Sequence, residues 1–399
     1  MPTSRDTRAG DKGAAHGALT LTGRNQPELH VLHVLGPDTP PLRGDVCRAL
    51  MGAGAATLQS ALARGGPPPG GPWPGSMLRV SARPWRAWGR DVRSVFRRAA
   101  QQACPVVVHA WSPGACGWAM TIGHDAAAPV LIDCEFPRAG ERLARWFTSE
   151  PRAAPPSFVC PTARAMRRML EGGAPLSSIA LIRDSVDFAL LREDASRVRA
   201  ALGAAPDNVL VLALPPLGRR AGFHAAWSAM LAQKVVAGVR LVIPGNGRET
   251  DGLRHLARAC RHEHMMCFTG DALGLPQLLR AADLALFLPI GDTSTAAVAW
   301  AMAAERPIVA SAVPAVTELL AHGASAWLCR PADPRDAARR IVNAIEMAER
   351  SRQQAALARL QAYAVFSRQR MVEQYSAAYA NLVGGRAVGE GVTDPALAV

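Results

Sequence analysis

Five short apolar runs recur through the second half of the chain: NVLVLALPP (208–216), VRLVIPGNG (239–247), MMCFTG (265–270), DLALFLP (283–289) and RPIVASAV (306–313). Each is preceded or followed by a segment of helix length. Runs of this kind, rich in Val, Ile and Leu and ended by Gly or Pro, read as strands buried on both faces. Strands that alternate with helices must be joined by crossovers, so the sheet they form is parallel and lies between helical layers. The pattern also occupies the first half, in ELHVLHVLG (28–36), CPVVVHAW (104–111), APVLIDCEF (128–136), SFVCPTARAMRRMLEGGAP (157–175) and IALIRDSVDF (179–188). It breaks near residues 184–192 and restarts after a charged helix at 192–203. The chain therefore divides into two doubly wound α/β units, with a cleft expected between the carboxyl ends of their strands, where open parallel sheets bind ligands.

Between these runs, a helix is expected at 43–63, and RGGPPPGGPWPG (64–75) reads as a surface loop because proline removes donors and glycine removes restraint. A last helix, SRQRMVEQYSAAYANLV (367–383), precedes a Gly-rich tail expected to fray. The expected layout is a disordered tail at 1–26, a first domain at 27–186, a second at 187–366, the helix 367–383 packing back toward the first domain, and a disordered tail at 384–399.

The chain has 399 residues, more than one hydrophobic core usually serves, and its 49% apolar content fits a folded protein. The first 26 residues contain no apolar stretch of the secretory type, and no window of the chain approaches the length of a membrane-spanning helix. The eight cysteines are scattered, without a CxxC pair or zinc-ligand spacing, and read as free thiols in a reducing compartment. The formal charge of +13 is almost all arginine, since Lys12 and Lys234 are the sole lysines. No arginine run is interleaved with aromatics as a nucleic-acid groove requires, so nucleic acid is not an expected partner. The charge suits a small anionic ligand or contact with an acidic membrane surface. A cytoplasmic protein, free to work at the inner face of the membrane, is the expected setting.

Several stretches together resemble the retaining, nucleotide-sugar-dependent glycosyltransferases of group 1, family 4. LVIPGNGRETDGLRHLA is similar to that family's glycine turn after a strand, and FTGDALGLPQLLRAADLALFLP to its following strand-helix-strand passage. AMAAERPIVASAVPAVTELLAHGASAWLCRPADP resembles the family's later segment, and FVCPTARAMRRMLEGGAPLSSIALIRDSVDF its interdomain segment. The interdomain phrase, asn-gly-val-asp in the family, is here Asp184, Ser185, Val186 and Asp187. The resemblance covers roughly residues 100–380. It implies the GT-B arrangement, with two Rossmann-like domains, an acceptor-binding first and a donor-binding second.

It also implies site residues. Family members place two glutamates eight positions apart, the first at the transferred sugar and the second at the ribose; carboxylates suit both tasks because they accept from paired hydroxyls. Asp292 stands at the first position and Trp300 at the second. Trp300 reads either as a buried aromatic of an apolar helix or as a stacking platform for a base or sugar. Thr293, Ser294 and Thr295 fall at a helix start, where hydroxyls can cap and backbone amides can hold a diphosphate. The family's Arg and Lys that grip the diphosphate are replaced at their aligned places by Pro216 and Ala221, with Arg219 and Arg220 nearby as substitutes. Gly245 and Gly247 form the glycine turn, and Glu318 matches a family glutamate after the following strand. In the first domain the usual glycine pair is replaced by GPDTPP (36–41), Glu135 stands where many members carry a histidine, and His109 matches another family histidine or is a satisfied strand residue.

The implied function is transfer of a hexose from a UDP- or GDP-sugar to an unknown glycan, lipid or small-molecule acceptor with retention. Asp292 would orient the sugar and basic groups would neutralise the leaving diphosphate without a metal or other cofactor. The simultaneous departures from the family pattern leave a second reading, a GT-B-shaped binding or regulatory protein with a degenerate, inactive site.

Overall fold

The computed structural model describes residues 29–36, 39, 41–54, 58–64, 73–74, 76–80, 101, 105–134, 155–192, 194–245, 248–291 and 293–392. Two parallel sheets organise them. The first contains β1 (His30–Leu35), β2 (Leu58–Arg64), β3 (Ser76–Val80), β4 (Val107–Ala110), β5 (Val130–Asp133), β6 (Ser157–Cys160) and β7 (Ile179–Leu181), in the order β3-β2-β1-β4-β5-β6-β7. The second contains β8 (Val209–Ala213), β9 (Val239–Pro244), β10 (Met266–Gly270), β11 (Leu284–Phe287), β12 (Ile308–Ser311) and β13 (Trp327–Cys329), in the order β10-β9-β8-β11-β12-β13. In both, the strand order runs outward one way from the first strand and then reverses, which places a switch point between β1 and β4 and another between β8 and β11.

The two-residue period of a strand divides each sheet into faces. In the first sheet, Leu32, Val34, Val108, Ala110, Val130 and Ile132 join one core with the helices Pro113–Ala126 and Ala163–Glu171. The opposite face carries Val31, Leu35, Val107 and Leu131, and packs on Met371, Tyr375, Ala378 and Tyr379 of the helix Arg368–Val383. The helix Arg368–Val383 is thus part of the first domain's core. In the second sheet both faces are apolar: Leu210, Leu212, Ala285 and Phe287 on one, Val211, Ala213, Leu241 and Leu286 on the other.

Two expectations are corrected, and two strands appear that local pattern did not indicate. The helix expected over 43–63 ends at Ala53; Gly54 takes a left-handed φ of 71°, and Leu58–Arg64 forms β2, paired with β1 from His30↔Leu58 onward. Two glycines weaken the helix there, and pairing with a distant strand decides the conformation of residues 58–64. The strand β3 lies just past the Pro/Gly stretch and was hidden by it; most of 64–75 is outside the described residues. The three-residue β13 is too short to register as a periodic run. The tail does not fray at 384: Val388 is fully buried, its amide donates to the Ser177 carbonyl at 3.1 Å, and a Cβ on Gly389 would stand 2.8 Å from the Ile179 carbonyl oxygen. The expected tails at 1–26 and beyond 392 lie outside the described residues.

Candidate functional site

The carboxyl edge of β9, β8 and β11 in the second sheet collects half of the expected residues. β8 and β11 are neighbours, with Leu284↔Val211 in register and the Leu214 amide donating to the Leu286 carbonyl at 2.9 Å. The chain leaving β8 runs through Leu214–Gly218 into the helix Arg219–Gln233, so Arg219 and Arg220 occupy its first turn and are exposed. The chain leaving β11 reaches Thr293, Ser294 and Thr295 and enters the helix Ala296–Ala303. Thr295 is the N-cap but makes no side-chain cap bond, and Ser294 Oγ accepts from the Ala296 amide at a long 3.4 Å. The start of this helix is therefore only loosely closed by its own hydroxyls, and its dipole favours an anion. β9, on the other side of β8, is followed by Gly245, whose φ of 86° suits glycine and whose amide donates to the Gly270 carbonyl at 2.9 Å. A Cβ there would meet nothing within 4 Å, so the backbone turn faces open space. Asp292 and Gly247 lie outside the described residues.

Trp300 does not join this group. All eight residues of Ala296–Ala303 are buried, and Trp300, 8% exposed, belongs to the second domain's core. A ring so enclosed has no open face for a base to stack on. The apolar neighbours on every side of AAVAWAMA make burial the cheaper place for the indole.

Glu318 is engaged elsewhere as well. It follows the short helix Pro314–Thr317 and reaches across to the first domain, where its Oε1 accepts from the Ala163 amide at 2.9 Å and its Oε2 from the Arg164 amide at 3.2 Å. The Arg183 guanidinium donates to the same carboxylate. Ala163 follows β6 and Glu318 follows β12, so loops from the carboxyl ends of both sheets touch here. The carboxyl edges of the two sheets therefore meet at this contact.

In the first domain, His109 is fully buried on β4, with Nδ1 2.9 Å from the Tyr379 hydroxyl. Its ring centroid lies 4.2 Å from that of Trp111, the two rings tilted by 34°, and the Trp111 indole N–H donates to His33 Nδ1 at 3.0 Å. Burial first, and then the nearby His33 and Arg43, hold the His109 pKa well below the usual imidazole value. The ring is thus enclosed under the helix Arg368–Val383, with Nε2 buried and without a hydrogen-bond partner. The strand's alternation turns the side chain toward the Tyr-bearing helix. Glu135 lies outside the described residues.

The residues around His109 form a charged network that local sequence pattern does not reveal. Arg43, fully buried in the helix Pro41–Ala53, donates to Asp133 at 2.5 Å and also to Asp184. The Tyr375 hydroxyl donates to Asp133 at 3.3 Å. Burial pushes the Asp184 carboxyl up, while Arg43 and Arg183 oppose the shift. Asp133 carried a signal, a carboxylate inside the apolar run VLID; Arg43 and Tyr375 carried none, since their pairing joins residues 90 to 242 positions apart. Among the described residues, no three His, Cys, Asp or Glu side chains converge to hold a metal ion, and no helix is long and apolar enough to cross a membrane.

Comparison with known proteins places this geometry. Residues 219–347 match the family described as glycosyl transferases group 1. The N-acetyl-alpha-D-glucosaminyl L-malate synthase of Bacillus anthracis is 26% identical over 140 residues, a match covering 35% of this chain and 37% of that enzyme. The chain thus spans little more than a third of the curated relative it matches. Over 88% of its length it superposes on all of Anabaena HepE, solved in complex with UDP and glucose, with a TM-score of 0.75 and 17% identity. Sucrose-phosphate synthase of Thermosynechococcus elongatus covers 89% of the chain with a TM-score of 0.73 and 15% identity. At such identities the likeness is one of fold: two Rossmann-like domains in the GT-B arrangement.

Proposed function

We propose that the chain, whose residues 219–347 match the family described as glycosyl transferases group 1, transfers a hexose from a UDP- or GDP-sugar to an acceptor with retention of configuration. The observation that carries the reading lies at the second sheet's switch point. Arg219, Arg220, the Gly245 turn and the loosely closed helix start at 293–295 converge there on the carboxyl edge of β9, β8 and β11.

The donor's diphosphate sits between the paired guanidinium groups and the helix start, which supply charge where it develops as the sugar departs. The turn at Gly245 lets backbone approach the nucleotide closely. Asp292, just before Thr293, orients the transferred sugar. No metal takes part, since the arginines and helix amides meet the leaving group's charge. With Trp300 in the core, the ribose is held by something other than a side chain at that position. The acceptor enters from the first-domain side of the cleft. The HepE complex with glucose and the name of the glucosaminyl malate synthase support a sugar donor and leave glycan, lipid and small-molecule acceptors as the candidates. The arginine excess supports contact with an acidic inner membrane surface, which would suit a lipid acceptor.

Thermal shift against UDP-, GDP- and ADP-sugars tests the reading. A ligand at 100 times its dissociation constant adds about 2.7 kcal/mol. The expected result is stabilisation by one nucleotide class, weakened at least about tenfold in affinity by Arg219→Ala with Arg220→Ala. In the otherwise unaltered chain, Asp292→Asn stops sugar turnover and keeps UDP or GDP affinity. Silence across the whole panel would leave a GT-B-shaped binding protein without a nucleotide-sugar donor.

A further inference from the structure

The contact between Glu318 and the first domain is more than a surface ion pair. Thr162 caps the helix Ala163–Glu171 and accepts from the Ala165 amide at 3.0 Å, which leaves the Ala163 and Arg164 amides for a partner. A carboxylate from the other domain fills that place, with one oxygen on each amide. It meets the positive end of a helix dipole and a guanidinium at once, the setting in which charge-assisted hydrogen bonds are strongest.

Arg183 and Asp184 follow β7 as consecutive residues, and they reach in opposite directions. Arg183 binds Glu318 of the second domain and Asp184 binds Arg43 of the first. The crossover between domains begins beside them. The Val186 amide donates to the Phe366 carbonyl at 2.9 Å, and Arg368 binds Asp187 at 2.5 Å, where the chain returns to the first domain. Glu318 is thus tied to the first domain close to the strands that join the two halves. Near a hinge the lever arm is short, so a small change in this fit becomes a larger displacement across the cleft.

We propose that Glu318, gripped by Arg183 and the Ala163 and Arg164 amides, is a positioning residue. It latches the two domains at the angle that brings the donor half against the acceptor half, and it does not itself touch the sugar. The latch stands on geometry alone; its effect on transfer rests on the function proposed above. Reacting groups held slightly out of line lose orders of magnitude in rate, so the angle matters for turnover more than for binding.

The test uses the full chain with Glu318→Arg, which sets a cation against Arg183 and the helix start, and Glu318→Gln, which keeps an accepting oxygen. Small-angle X-ray scattering without ligand should show a larger radius of gyration and a longer interdomain distance for Glu318→Arg, and an intermediate change for Glu318→Gln. UDP affinity should stay within about twofold, because the nucleotide contacts lie in one domain, while turnover of UDP-glucose falls at least about tenfold. Unchanged scattering of a folded Glu318→Arg protein overturns the latch. Opened scattering with undiminished turnover overturns the positioning role. If neither wild type nor variant binds UDP or GDP, the transfer reading fails, and the scattering still decides the latch.

Discussion

The two sheets share a strand order and differ in what covers them. The second is coated on both faces by apolar side chains, Leu212 and Phe287 on one side, Val211 and Leu286 on the other. The first has such a face too, but its other face carries His33, His109 and Asp133 beneath the last helix, with Arg43 buried against them. Tyr375 and Tyr379 reach this polar stripe from residues at the chain's end. Both domains contain buried hydrogen bonds, such as Trp327 to Ser351 in the second, but in the first a set of buried hydrogen bonds and ion pairs fixes where the helix Arg368–Val383 docks. A buried charge network demands one geometry, because each unpaired member costs far more than an imperfect apolar contact. That suits a helix which must return over the domain boundary to a single register.

The contrast is open to direct attack. Arg43→Ala removes one cation from between two carboxylates and should cost about 3–5 kcal/mol in urea unfolding, with the docking of Arg368–Val383 lost first. A cost below about 1 kcal/mol would mean that the network does not hold the helix. Trp300→Ala should destabilise the second domain by about 3 kcal/mol through the cavity it leaves, without changing UDP affinity beyond the loss of folded protein. If nucleotide affinity fell in protein shown to be folded, Trp300 would belong to the donor site after all.

The smallest effect concerns pH. His109 is held neutral by burial, so its folded pKa lies well below the ordinary value of about 6.5. The unfolded chain takes up that proton first; stability contributed by the neutral ring is present above about pH 6.5 and is lost as pH falls toward the folded value. One such proton gives a slope of up to about 1.4 kcal/mol per pH unit between the two values. Melting temperatures of His109→Phe against wild type from pH 7 to 5 should converge as acid erodes the wild-type advantage. A constant gap would show that the histidine does not titrate on unfolding.

Much of this was legible from local pattern. Buried strands of a parallel sheet are short apolar runs ended by turn residues, and Val209–Ala213, Leu284–Phe287 and Ile308–Ser311 announce themselves in that way. The glycine at 245 and the basic residues at 219–220 could likewise be placed after strands from their neighbours alone. The sequence by itself determined the α/β class, the division into two units and the positions of the candidate donor groups along the chain, because each depends on periods of a few residues. Tertiary structure alone decided that Leu58–Arg64 pairs as a strand, that Trp300 turns inward, that His109 meets Tyr379, and that Glu318 binds the opposite domain. Those outcomes rest on partners between about 28 and 270 positions away. Burial and hydrogen-bond satisfaction act between neighbours in space, and neighbours so distant in the chain leave no local trace.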